Sequence, residues 1–238
     1  MQRFTTAVVT ALLALSTTGA TAAPALGHPQ RTLRSTPNLL VTRLKGVDGA
    51  RQVVSVTSSR YGSVHATVQA FARSGNGWVR TAGPWSAWIG RTGFARPGRK
   101  REGDGKTPSG SYRFSFFFGA ASKPTVHFPW RHAATYDYWD DDSASPRYNT
   151  WVDTRYHSAG RNPEPLHVRP SYDDVAVIAY NTARIPGRGS AIFLHVTHHS
   201  PTSGCIALPR SEVLTLLRWL KPRDHPRIIM GRTATVTR

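Results

Sequence analysis

The sequence predicts a mainly β domain with few helices, and three observations carry that prediction. Short runs rich in β-branched and aromatic residues recur along the chain, at 51–57, 63–73, 111–118, 175–179, 191–196 and 227–230. Clusters of Gly, Asn, Ser and Pro separate them, as in Ser74-Gly75-Asn76-Gly77 and Ile185-Pro186-Gly187-Arg188-Gly189. A single segment shows clear helical periodicity, with Val213, Leu216, Leu217 and Leu220 on one face, Ser211 as the expected N-cap and Pro222 as the stop.

Residues 1–23 read as a secretory signal, with Arg3, an apolar run from Ala7 to Leu15 and the cleavage-like triplet Ala20-Thr21-Ala22. That apolar run is too short to span a bilayer, so an exported mature chain without a transmembrane segment is expected. Residues 24–38, with three prolines and few large apolar side chains, read as a flexible linker. One domain is expected over 39–232, followed by a frayed tail at 233–238. The 238 residues, 39% hydrophobic, suffice for one buried core.

Within the domain, 51–57 and 63–73 read as strands, with the Ser74–Gly77 loop turning the chain into a return strand at Trp78 and Val79. Trp85, Trp88 and Phe94 form an aromatic cluster that core packing explains. Arg99, Lys100 and Arg101 read as a solvated loop, and Lys106-Thr107-Pro108-Ser109-Gly110 as a turn into an aromatic-rich strand at 111–118. Residues 129–153 interleave aromatics with Asp137, Asp140, Asp141, Asp142 and Asp153. A calcium loop would need more regular ligand spacing, and a loop whose acids pair with arginines is preferred.

The formal charge is +18, or +17 once Arg3 leaves with the signal. The cations are scattered, with no stripe of Lys and Arg interleaved with aromatics, which argues against a nucleic-acid partner. For an exported chain, anionic wall polymers are the expected counter-surface. One cysteine excludes an intramolecular disulfide.

That cysteine, Cys205, follows His195 by ten residues in GSAIFLHVTHHSPTSGCIALP. His195 falls near the end of an expected buried strand. Pro201, Ser203 and Gly204 break the chain, so Cys205 is expected at the mouth of a turn. A thiol becomes a useful nucleophile when an imidazole within reach takes its proton, so the pair is the minimum machinery for acyl transfer. The plainer reading is a small buried hydrophobe. An unpaired thiol in a secreted chain, beside a Gly that lets backbone approach a substrate, favours the nucleophile.

The stretch resembles the L,D-transpeptidase catalytic family of the YkuD type. His195 corresponds to the family's upstream His, and Ser203, Gly204 and Cys205 to the Ser/Thr-x-Gly-Cys end of its pattern. The block GDGKTPSGSYRF at 103–114 resembles the family's Lys-Thr-Pro-x-Gly signature, and the likeness extends over 39–232. The chain departs from the common form in carrying Ser203 before the Gly and Ala207 two residues after the Cys, and in a shorter His-to-Cys gap. It is closest to a subgroup reading Pro-Thr-x-Gly-Cys-Ile-Ala-Leu.

The resemblance implies a β-sandwich or barrel-like catalytic domain and a cysteine acyltransferase acting on peptidoglycan stem peptides, with L,D-carboxypeptidase activity where water resolves the thioester. It implies no metal and no organic cofactor. It assigns Cys205 as nucleophile, His195 as proton carrier and Ser203 as the residue whose carbonyl orients His195. The N–H groups of Gly204 and Cys205 are the expected oxyanion donors. It makes Thr107, in the signature turn that lines the family's cleft, a candidate for substrate contact. An insertion at 139–149 does the same for Tyr148 and Asn149, and Asn181 at the end of the preceding strand joins them. Two competing readings are a metal-dependent hydrolase using His195, His198 and His199 with an Asp from 140–142, and a non-catalytic wall-binding protein.

Overall fold

The computed structural model describes residues 38–238, so the expected signal and nearly all of the linker lie outside the described residues. A 3-10 turn, Leu40–Arg43, leads into β1 (Gln52–Ser58), β2 (His65–Ser74) and β3 (Gly77–Trp88). β4 (Gly110–Gly119) and β5 (Trp130–His132) follow, then three short strands, β6 (Asp137–Asp140), β7 (Thr150–Asp153) and β8 (Glu164–Pro165). The last part holds β9 (Val175–Ile178), β10 (Phe193–Val196), β11 (Ile206–Leu208), α1 (Arg210–Trp219), β12 (Arg227–Arg232) and α2 (Thr233–Val236).

Nine strands form one sheet in the order β12-β1-β2-β3-β11-β10-β9-β4-β5, and β4 also pairs with β12. That extra pairing closes the sheet into a barrel: β12 pairs with the start of β4, at 110–113, and β5 with its end, at 117–119. β10 and β11 run parallel, with Leu194 opposite Ile206 and His195 opposite Ala207. β6, β7 and β8 make a separate three-stranded sheet. Among the described residues no helix is long and apolar enough to cross a membrane.

Alternation along β10 and β11 sorts their side chains between two cores. Leu194, Val196, Ile206 and Leu208 join a cluster with Val54, Val68, Phe117, Ile228 and the apolar face of α1. Phe193 and Cys205 belong to a second cluster with Phe118, Trp139, Leu166, Tyr172, Val175 and Val177. Strand geometry places His195 and Ala207 on that second side, two residues along from Phe193 and Cys205. Val213, Leu216, Leu217 and Leu220 are all fully buried, each burial contributing about 1.5–3 kcal/mol.

Four expectations are corrected. α1 begins one residue before Ser211: Pro209 occupies the N-cap without a side-chain bond, and its carbonyl accepts from the N–H groups of Glu212 and Val213. The segment after 232 is packed rather than frayed. Val236 is buried with Val41, Leu44 and Phe71, and Lys45 N–H donates to Val236 O. Lys100 is not in a solvated loop but 4% exposed, because Asp104 Oδ1 and Arg101 O each lie 2.7 Å from its Nζ. Finally, the acids of 137–153 mostly hold N–H and O–H groups instead of arginines. Asp137 accepts from Trp151 Nε1 and Ala134 N, and Asp140 from Gly160 N and the Ser145 hydroxyl. Among the described residues only Asp153 takes an arginine, Arg155, at 2.7 Å. Trp85 packs against the barrel core and Phe94 lies within it, whereas Trp88 sits partly exposed with its ring 3.8 Å from that of His65.

Candidate active site

His195, Ser203, Gly204 and Cys205 come together at one pocket of about 390 Å³. The parallel pairing is the cause, because it sets His195 opposite Ala207, on the side that Cys205 shares. The Cys loop is tied down on both sides. Thr202 exchanges N–H···O bonds with β3's exit, donating to Ile89 O at 2.9 Å and accepting from Arg91 N at 2.7 Å. Its hydroxyl donates to Cys205 O at 2.8 Å and accepts from Gly204 N at 3.1 Å. Gly204 sits in a tight place, since a Cβ would lie 3.0 Å from Lys106 O and 3.2 Å from Ile192 Cδ1.

Cys205 Sγ accepts from Phe193 N at 3.4 Å and donates to Ala191 O at 3.2 Å. Burial pushes the thiol up to about 12, against weaker downward pulls from the Phe193 N–H and Lys100. His195 Nδ1 lies 2.8 Å from Val196 O. A carbonyl can only accept, so Nδ1 carries the proton and Nε2 is the nitrogen free to receive one. Burial draws the imidazole down to about 4. At neutral pH the resting pair is therefore a thiol and a neutral imidazole, with no standing thiolate.

The geometry revises two roles assigned from the sequence. The carbonyl orienting His195 belongs to Val196, not Ser203, since the residue after His195 already lies within bonding distance of Nδ1. The Ser203 hydroxyl instead accepts from Arg91 Nη1 at 3.1 Å. Of the two oxyanion donors, Gly204 N–H is occupied by Thr202 Oγ1.

The four expected substrate contacts are not among the residues lining this pocket. Thr107 is fully buried behind the Cys loop, its hydroxyl accepting from Gly90 N and donating to Cys205 O. Tyr148 is 2% exposed and holds Glu102 through its hydroxyl, which accepts from Gly189 N. Asn149 spends its amide on Trp139, Ala191, Tyr180 and Asn181. Asn181 lines a different pocket, of about 290 Å³, with Arg96, Tyr112, Tyr180 and Arg188.

Sequence reasoning missed the pocket's other walls. Glu102, Asp141 and Glu164 line it, and Arg91 and Lys100 are its cations. Burial and the charges of Glu102 and Glu164 raise Asp141 to about 6. Glu164, raised by burial, accepts from the Tyr172 hydroxyl at 2.9 Å. The Tyr172 ring meets His195 edge-on, centroids 5.2 Å apart. Glu102 and Asp141 lie within the two stretches read as loops, while no motif marks Glu164 or Tyr172.

Among the described residues no three His, Cys, Asp or Glu side chains converge as metal ligands. Asp141, His195 and His198 border the pocket without converging on one point, His199 is exposed and does not line it, and Asp140 is turned inward on Ser145 and Gly160, so the metal-hydrolase set does not assemble among the described residues.

The family model for the L,D-transpeptidase catalytic domain (YkuD) matches residues 65–231. No curated protein matches the chain significantly. Among solved structures, the chain is similar to the helical cell shape determining protein Pgp2 from Campylobacter jejuni, at 12% identity and a TM-score of 0.40 over 80% of this chain. The chain spans about half, 51%, of that structure's length.

Proposed function

The chain belongs to the L,D-transpeptidase catalytic domain (YkuD) family, and from that premise we propose that it is an exported cysteine acyltransferase working on peptidoglycan stem peptides. The observation that supports this most is the placement of Cys205 and His195 on one side of a parallel strand pair, both lining a single pocket.

In this reading the Cys205 thiol passes its proton to His195 Nε2 as Sγ attacks the carbonyl of an L-residue joined to a D-residue. The tetrahedral intermediate collapses when the imidazolium returns that proton to the leaving amine, leaving a thioester on Sγ. The amine of a second stem then attacks the thioester, giving a cross-link and restoring the thiol; water in its place gives hydrolysis. Cys205 N–H is the oxyanion donor in this scheme, since Thr202 engages Gly204. Substrate arrival has to displace water and bring thiol and imidazole together, because burial keeps both neutral at rest. Carboxylates and the Arg91 guanidinium around one thiol suit a donor carrying both ammonium and carboxylate groups, as amino-acid ends do. The +18 charge supports residence among anionic wall polymers.

Intact mass after incubation with a carbapenem tests the reading. The parent protein is expected to gain one adduct and Cys205→Ala none; an adduct that persists in Cys205→Ala overturns the assignment.

A further inference from the structure

The backbone at Ala191 is left-handed, at φ 49, and its carbonyl is the group that receives the Cys205 thiol proton. An L-residue with a Cβ does not rest there unless its surroundings hold it. Ala191 N–H donates to Asn149 Oδ1 at 3.3 Å. Asn149 is itself fixed, at φ 58, with Oδ1 also accepting from Trp139 Nε1 at 2.9 Å and Nδ2 donating to Tyr180 O and Asn181 O, both at 3.0 Å. One side-chain amide thus ties together β6, the exit of β9 and the residues leading into β10.

The geometry points to Asn149 as a positioning residue that, through the left-handed Ala191, holds Cys205 as a protonated thiol in the resting enzyme. A carbonyl facing sulfur stabilises S–H, which it accepts from, and opposes S⁻, whose charge meets the oxygen's lone pairs. While the S–H points at Ala191 O, its proton is not directed at His195. Rotation of the thiol away from Ala191 is then the step that arms the pair, and the vacated carbonyl is left free to accept an N–H from the bound peptide. The thiol's high resting value agrees with this, though burial is its largest cause. The titratable groups facing Sγ from other elements are Glu164 on β8, which opposes thiolate, Lys100 ahead of β4, which favours it, and the Tyr172 phenol, itself held protonated by burial and by Cys205; none bonds to Ala191. The catalytic meaning of this latch rests on the acyltransferase reading above.

The test is the pH dependence of Cys205 alkylation by iodoacetamide in the full chain, read as the midpoint of the profile rather than its plateau. Asn149→Gly keeps the left-handed backbone at 149 and removes the amide. It is expected to lower the midpoint by about one unit, which raises the thiolate fraction at pH 8 about tenfold and speeds alkylation there by a few-fold. Asn149→Asp keeps an acceptor for Ala191 N–H and is expected to hold the midpoint at or above the parent's. A parental midpoint in Asn149→Gly, or a drop in Asn149→Asp equal to that in Asn149→Gly, overturns the latch. Should Asn149→Gly fail to fold, Ala191→Val disfavours the left-handed backbone without touching the amide. It must show the same drop, and an unchanged midpoint there overturns the proposal. Alkylation reports on the thiol alone, so the latch can fail while the carbapenem result stands, and the reverse.

Discussion

The Thr107 hydroxyl lies 3.4 Å from the carbonyl oxygen of Cys205, on the buried side of the Cys205 loop. Its main partner is Gly90 N at 2.9 Å, and no part of Thr107 is exposed. The Thr-Pro-x-Gly turn thus supports the site from behind. Thr107→Val keeps the volume and orphans the Gly90 N–H, for an expected loss of about 2 kcal/mol in stability, measured by urea denaturation. A variant of parental stability whose KM for the acyl donor rises would return Thr107 to the substrate-binding role.

The carboxylates of the pocket give a pH-dependent cost. Asp141 is raised to about 6 by burial and by Glu102 and Glu164. Its protonated form is therefore favoured in the folded state, and the stability this confers is present below the unfolded value near 4 and lost as pH rises through 6. Asp141→Asn fixes the neutral form. It is expected to raise Tm at pH 7–8, with the gain shrinking towards zero below pH 4. A gain independent of pH in a series of thermal melts would refute the electrostatic account.

Asp174 is fully buried, and Arg210 Nε reaches its Oδ2 at 2.7 Å. Its other oxygen has no partner among the described residues. Arg210→Ala abandons a carboxylate in the interior. With Arg210 itself half exposed, the expected cost is about 2 kcal/mol, below that of a wholly buried pair, or a Tm lower by about 6 °C. Adding Asp174→Asn is expected to recover part of the loss; calorimetry on the single and double variants reads the difference.

What could be read from the chain before its structure follows physical range. Strands β1, β2, β4 and β10 announce themselves by local runs of β-branched and aromatic residues, and the buried face of α1 by its helical spacing. Cys205 and His195 are visible because their chemistry is rare and the likeness to a known pattern is local. Asp141 and Lys100 are misread because a charged side chain looks solvated until its partner is known, and Asp104 and the neighbouring carboxylates become partners only in three dimensions. Glu164 and Tyr172 carry no signal at all: the small sheet β6-β7-β8 places Glu164 at the pocket. The carbonyl of Val196 lay beyond sequence reading for another reason, since a main-chain acceptor has no residue type to betray it.

The closing of the barrel by β12 has its own consequence. This strand lies between β1, from the start of the domain, and β4, and is parallel to one and antiparallel to the other. A chain emerging amino end first therefore keeps the facing edges of β1 and β4 bare until Arg227–Arg232 have appeared. Such an incomplete ring is poorly suited to locking shut early, and β10 and β11, made just before, gain their finished walls only once that last stave is set.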